Sequence, residues 1–344
     1  MYLLVDTDGA IAAIYRDGVD VETILSDVKQ LDTSPVERRD ASVPFVGTWT
    51  TPPRQMLMRA VGHLFAENGF DEDHLRYSQL DTEVLERQRK LASSPEQRKQ
   101  LDAVYVAENY NVGVALLARN KPQQAVEYFE RAVAVDPRHV NALVNLAVHF
   151  ASQRKVNEAI TLLRRAIDVE PDSVPARLNL GNILSGTGQF ENAAEHYSHI
   201  VNTGKAETTV HSRLARALLE TGNVEEGTDQ LEQALATGAN DAATLVSLAW
   251  IKATSRDDKL RDGDRASELA SRILANRLGS PVVAFDVVAA AHAEQGEFDK
   301  AVASAKKAIA LMGGQQNELR KLIVKRLAGY QEKRPHRDVD GKYP

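Results

Sequence analysis

NYNVGVALLARNKPQQAVEYFERAVAVDP, residues 109–137, decides how this chain is read, because the same pattern returns twice downstream. It comes back as ALVNLAVHFASQRKVNEAITLLRRAIDVEP over 142–171 and as ARLNLGNILSGTGQFENAAEHYSHIV over 176–201. Equivalent positions stand 34 residues apart: Asn111, Asn145 and Asn179; Gly113, Ala147 and Gly181; Ala125, Ala159 and Ala193; Ala132, Ala166 and Ile200. A fixed period of this length marks stacked supersecondary units, each unable to bury its apolar face without its neighbours. Gly113 or Ala147 on a first helix, facing Ala125 or Ala159 on a second, lets two backbones approach closely. Phe129, Leu163 and Tyr197 are then expected to fill the space between neighbouring pairs. Pro137 and Pro171 mark unit ends, since proline cannot continue a helix but suits the start of the next.

Working outward, units are expected at 106–139, 140–173, 174–207 and 208–241, the fourth carrying Leu214, Ala215, Leu218, Leu231 and Ala234 in register and Gly227 where alanine is usual. A fifth, 242–278, has Leu245, Leu248 and Ala249, but an insertion around Arg256 to Arg265 delays its second helix. The sixth, 282–313, returns to pattern through Ala289, Gly296, Phe298, Ala301 and Ala308. A capping helix follows over 316–332, with Leu319, Leu322, Ile323 and Leu327 on one face and Lys and Arg opposite. Upstream, 52–102 reads as a degenerate leading repeat (Val61, Gly62, Phe65, Gly69, with His74 in place of a small residue) followed by a polar helix or linker from Asp81 to Asp102.

The 34-residue spacing resembles the tetratricopeptide repeat. That resemblance implies an all-α, right-handed solenoid of antiparallel helix pairs whose first helices line a concave groove. It implies a scaffold that binds a protein or peptide segment, not an enzyme. Within residues 1–40, YLLV and AIAAIY flank Asp6, Thr7, Asp8 and Gly9, a hairpin-turn signal. The amphipathic stretch VETILSDVKQL follows. This order resembles the last part of a thioredoxin-like redoxin domain, without the upstream strands or the thiol-bearing helix, so no redox activity is carried over.

Composition narrows the chemistry. The chain has 344 residues, 43% of them hydrophobic, with only 6% aromatic and a net charge of −6. That charge offers no uniform basic field for nucleic acid. The absence of cysteine excludes disulfides, thiolate metal sites and thiol nucleophiles. Aspartates interrupt the opening apolar run, so no secretory leader is expected and a cytoplasmic location is. No apolar segment reaches the roughly 20 residues of a membrane span. His196 and His199 lack a third ligand, no catalytic motif occurs, and neither cofactor nor metal is expected.

Binding residues are sought along the groove that the resemblance implies. The sixth position of each unit forms a column, Asn111, Asn145, Asn179 and Arg213. Amides both donate and accept, so such a ladder suits the backbone of an extended peptide. It equally suits bonding within the array. Asn182, Arg213 and Arg216 lie on the same face, and an arginine fork suits a carboxylate, pointing to a ligand with acidic groups or a free C-terminal carboxylate. Trp250, expected to face inward, reads as an aromatic anchor or as packing between repeats. The alternative function is a docking region of a larger redoxin-like or other bacterial enzyme whose catalytic part lies outside this chain. Nucleic-acid binding by the basic stretch Lys321 to Arg326 is the weakest reading, since such charges usually form a solvated face.

Overall fold

The computed structural model of the protein describes residues 2–5, 11–15, 71–314, 317–338 and 341–343. It divides into two compact units, Met1–Asp136 and Pro137–Pro344.

In the first unit, β1 (Tyr2–Val5) and β2 (Ile11–Tyr15) pair antiparallel, with Tyr2 opposite Tyr15 and an irregularity between Leu4 and Val5. The helix expected over VETILSDVKQL and residues 52–70 of the leading repeat lie outside the described residues. Three helices follow: α1 (Asp71–Leu91), α2 (Pro95–Ala118) and α3 (Pro122–Val135). The stretch expected as a polar helix or linker is largely helical on both sides of a short turn. Ser94 caps α2 by accepting from the Gln97 backbone N–H at 3.2 Å. Within that stretch Arg89, though charged, is nearly buried. Arg89 lies 4.2 Å over the Tyr105 ring and donates to Asp102 at 2.5 Å. Burial pushes the Asp102 carboxyl up, but hydrogen bonds from Arg89 and Arg98 outweigh it and hold the group below its ordinary value.

The second unit is a run of helix pairs: α4 (Val140–Ser152) with α5 (Val156–Val169), α6 (Val174–Gly186) with α7 (Phe190–Asn202), and α8 (Thr208–Glu220) with α9 (Val224–Ala236). Then come α10 (Ala242–Thr254) with α11 (Gly263–Ala275), α12 (Pro281–Glu294) with α13 (Phe298–Leu311), and the closing α14 (Glu318–Gln331). Each helix packs on the next in sequence. Alanines at the close-approach positions, Ala147, Ala159, Ala215, Ala249 and Ala289, are fully buried. Among them Leu163, Leu245 and Leu248 are also fully buried, and each such leucine contributes about 1.5–3 kcal/mol of apolar burial.

The turn inside four of the five pairs, all but α10 with α11, repeats one geometry. A residue in the left-handed region, Arg154, Gly188, Gly222 or Gly296, ends the first helix. The next backbone N–H then closes on a carbonyl five residues back: Lys155 to Phe150, Gln189 to Leu184 and Asn223 to Leu218 at 2.9 Å, and Glu297 to His292 at 2.8 Å. This is the Schellman motif, which satisfies carbonyls that the helix end leaves open. The first unit has the same turn at Asn120, with Lys121 donating to Leu116 at 2.9 Å.

Two expectations need correction. Phe129 and Tyr197 pack inside their own pairs, because a Cβ at Gly113 would lie 2.5 Å from the Phe129 ring and one at Gly181 would lie 2.7 Å from the Tyr197 ring. On α14, Arg326 is buried and not on a solvated basic face. It donates to the fully buried Asp286 of α12, a partner without which the charge could not leave water.

Candidate functional site

The repeat places equivalent residues on successive first helices of the second unit. Asn145 on α4, Asn179 on α6 and Arg213 on α8 share one register, and Asn182 on α6, Arg216 on α8 and Trp250 on α10 share another. Asn111 holds the first of these registers on α2 of the first unit, where it is exposed.

The asparagines are pre-oriented by their own helices. Asn145 Nδ2 donates to the Asn141 carbonyl at 3.0 Å, and Asn179 Nδ2 donates to the Pro175 carbonyl at 2.9 Å. Each therefore spends one amide N–H locally and keeps its side-chain carbonyl for another donor. Asn182 Oδ1 accepts from the Tyr197 hydroxyl at 2.9 Å. Burial pushes that phenol up to about 12, while nearby Arg213 and Arg216 pull it down. Both arginines are exposed to solvent.

Trp250 departs from expectation. It is fully buried, so it is not a presented anchor in this structure. The cover is the segment that follows α14. Asp338 Oδ2 accepts from Trp250 Nε1 at 2.7 Å, Tyr343 stands edge-on to the indole at 5.0 Å, and His336 lies at 5.6 Å. Arg326 completes the enclosure, 5.0 Å from the indole. The Tyr343 hydroxyl donates to Asp286 Oδ2 at 2.9 Å. Burial pushes the Asp286 carboxyl up, and Arg326 and Tyr343 pull it back. Sequence reading missed this segment because RPHRDVDGKY has no helical period. Its one local signal is Gly341, which sits at φ +63 where a Cβ would come within 2.8 Å of Val224.

The insertion also has a defined role. It is held by Arg261, which donates to Glu294 at 2.9 Å and to the Ser255 carbonyl at 2.9 Å. Ser255, in extended conformation, forms a parallel bridge with Asp338. Among the described residues no group of His, Asp or Glu is arranged to hold a metal, and no helix is long and apolar enough to cross a membrane.

Paired helices in a 34-residue register, with small residues at the close approaches, define a tetratricopeptide-repeat protein. Tetratricopeptide-repeat family models match residues 110–167, 150–212 and 209–233. Among solved structures, YrrB, described as a TPR protein with an unusual peptide-binding site, is similar in fold. Its TM-score is 0.51 and its identity 16%, over 58% of this chain and 99% of that one. A tetratricopeptide repeat protein from Parabacteroides merdae matches with a TM-score of 0.47 and 14% identity, over 80% of this chain and 98% of that one. A MamA structure matches with a TM-score of 0.42 and 17% identity, over 53% and 91%. No curated protein sequence matches the chain.

Proposed function

We propose that this protein is a protein-interaction scaffold that holds an extended partner segment along the first helices of its second unit. Asn145 and Asn179 address the segment's backbone, and Arg213 and Arg216 take an acidic side chain or a terminal carboxylate. The observation that carries this reading is the shared register of Asn145, Asn179 and Arg213 on α4, α6 and α8, with Arg216 one turn further along α8, all four accessible to solvent and the two asparagines already oriented by bonds to their own helices. A groove held open by stacked helices spends little entropy on ordering itself, which favours affinity from many modest contacts. The peptide-binding site named for YrrB, a protein of similar fold, supports the same class of ligand. Asn111 holds the equivalent repeat position within the first unit.

The test is affinity capture from a lysate, comparing the full chain with an Asn145→Ala/Asn179→Ala/Arg213→Ala/Arg216→Ala variant of unchanged circular dichroism and melting temperature. Captured partners are then titrated against both proteins. Hydrogen bonds to charged groups contribute about 1.5–3 kcal/mol each, so the variant should bind at least about tenfold more weakly, with the wild-type affinity falling as salt rises. Equal affinities would end the reading.

A further inference from the structure

The segment after α14 crosses the second unit in a manner that a structural tail does not require. It meets the same register position on three consecutive first helices. Arg337 pairs with Glu294 on α12 at 2.6 Å. The Asp338 backbone N–H donates to the Thr254 carbonyl on α10 at 2.8 Å. Lys342 Nζ pairs with Glu220 on α8 at 2.8 Å. Glu220 and Thr254 are 34 residues apart, and Glu294 follows after the longer fifth unit. The segment thus runs backwards along the array, α12 to α10 to α8, and touches the face where the first helices would meet a ligand.

The surface beneath it adjoins Arg213 and Arg216 on α8 and has its own chemistry. Without the segment, Trp250 would stand between the carboxylates of Glu220 and Glu294, with Asp286 behind it in its pair with Arg326. Each of these groups is answered by one residue of the segment. Arg337 and Lys342 take the two outer carboxylates, Asp338 takes the indole N–H, and Tyr343 packs on the indole edge while donating to Asp286. One backbone bond and one parallel bridge to Ser255 fix its direction. An extended strand recognised by main-chain pairing at one point and by separate side-chain acceptors elsewhere is how repeat and sheet-edge surfaces read peptides.

We infer that the Trp250 face of α8, α10 and α12 is a second peptide-binding site, filled at rest by residues 334–338 and 341–343, and that it accepts in trans a partner segment of the same order: Arg-Asp, then, after three intervening residues, Lys-Tyr. The resident segment is an intramolecular competitor, so a partner sees only the fraction of molecules in which it is displaced. The site involves none of the polar residues assigned to the proposed groove, and either reading can fail without the other.

The experiment uses a fluorescent peptide with the sequence of residues 334–344, RPHRDVDGKYP, titrated against the full wild-type chain and against full-length Asp338→Ala/Tyr343→Ala, which weakens the resident segment and leaves the array's own residues intact. The variant should bind the peptide at least about tenfold more tightly than wild type, because the competent fraction rises. A peptide carrying the same two substitutions should bind neither protein. A folded variant that fails to bind, or that binds both peptides equally, overturns the inference. If the variant does not fold, hydrogen exchange of wild type decides the question. Excess unmodified peptide should speed exchange at the Asp338 amide, and unchanged exchange overturns the inference as well.

Discussion

Gly113 lies under the ring of Phe129, Gly181 under Tyr197, and the residue pairs at the same two register positions are Ala147 with Leu163 and Ala215 with Leu231. Glycine stands opposite an aromatic and alanine opposite a leucine, so volume is conserved across each pair although neither position is. Gly113→Ala should therefore overpack by about 1–3 kcal/mol, offset in part by the roughly 1 kcal/mol that alanine gains in a helix interior. Gly113→Ala/Phe129→Leu recreates the pair found one repeat later. In urea denaturation its stability should exceed the sum of the two single changes by about 1 kcal/mol, and simple additivity would show that the two residues do not share one space. A second residue-scale prediction concerns the buried pair of Asp286 and Arg326. Removing one partner strands the other's charge, so Asp286→Ala should cost about 3–5 kcal/mol in the same measurement, far more than an alanine change at an exposed pair such as Lys321 and Glu318.

Elements are set by the turn that ends every first helix of the second unit but α10. Gly188 and Gly222 occupy its left-handed position 34 residues apart, but the equivalent residues in the two preceding repeats are Arg154 and Asn120. Residues with a Cβ cost roughly 1–2 kcal/mol there, and part of that is recovered because glycine is more flexible when unfolded. Arg154→Gly should raise stability by up to about 1 kcal/mol, read as a higher urea midpoint with unchanged slope, while Gly222→Arg should lower it. The same turns explain what could be read in advance. Alanine and glycine at fixed steps located the helix pairs, and the delayed second helix after Thr254 was visible as a break in period. In the polar run from Asp81 to Asp102 the burial of Arg89 was not legible, because it depends on Tyr105 and Asp102, partners in the next helix that no periodicity names. Arg326 escaped for the same reason, since its partner Asp286 is 40 residues away.

For the second unit as a whole, the array was legible and the covering segment was not. Repeats announce themselves by local self-similarity, whereas the contact between Trp250 and Asp338 joins residues 88 apart, and the position of Trp250 is held by Arg216 one repeat earlier. That segment also gives the unit a pH response. His336 is packed beside Trp250, and burial lowers its pKa to about 4, reinforced by Arg326, Lys325 and Arg337 and opposed by Asp338. A released segment would return the imidazole to roughly 6.5. Docking therefore favours the neutral ring, so it is undiminished above about pH 6.5 and weakens as pH falls from there towards about 4, where the docked ring protonates as well. The measurement spans pH 7.5 to about 5, the upper part of that window. Corrected for the intrinsic pH dependence of exchange, protection of the Asp338 amide should fall across this range in wild type. His336→Phe keeps an aromatic ring against the indole and removes the titration, so its protection should stay level, and an equal fall in both proteins would place the pH response elsewhere.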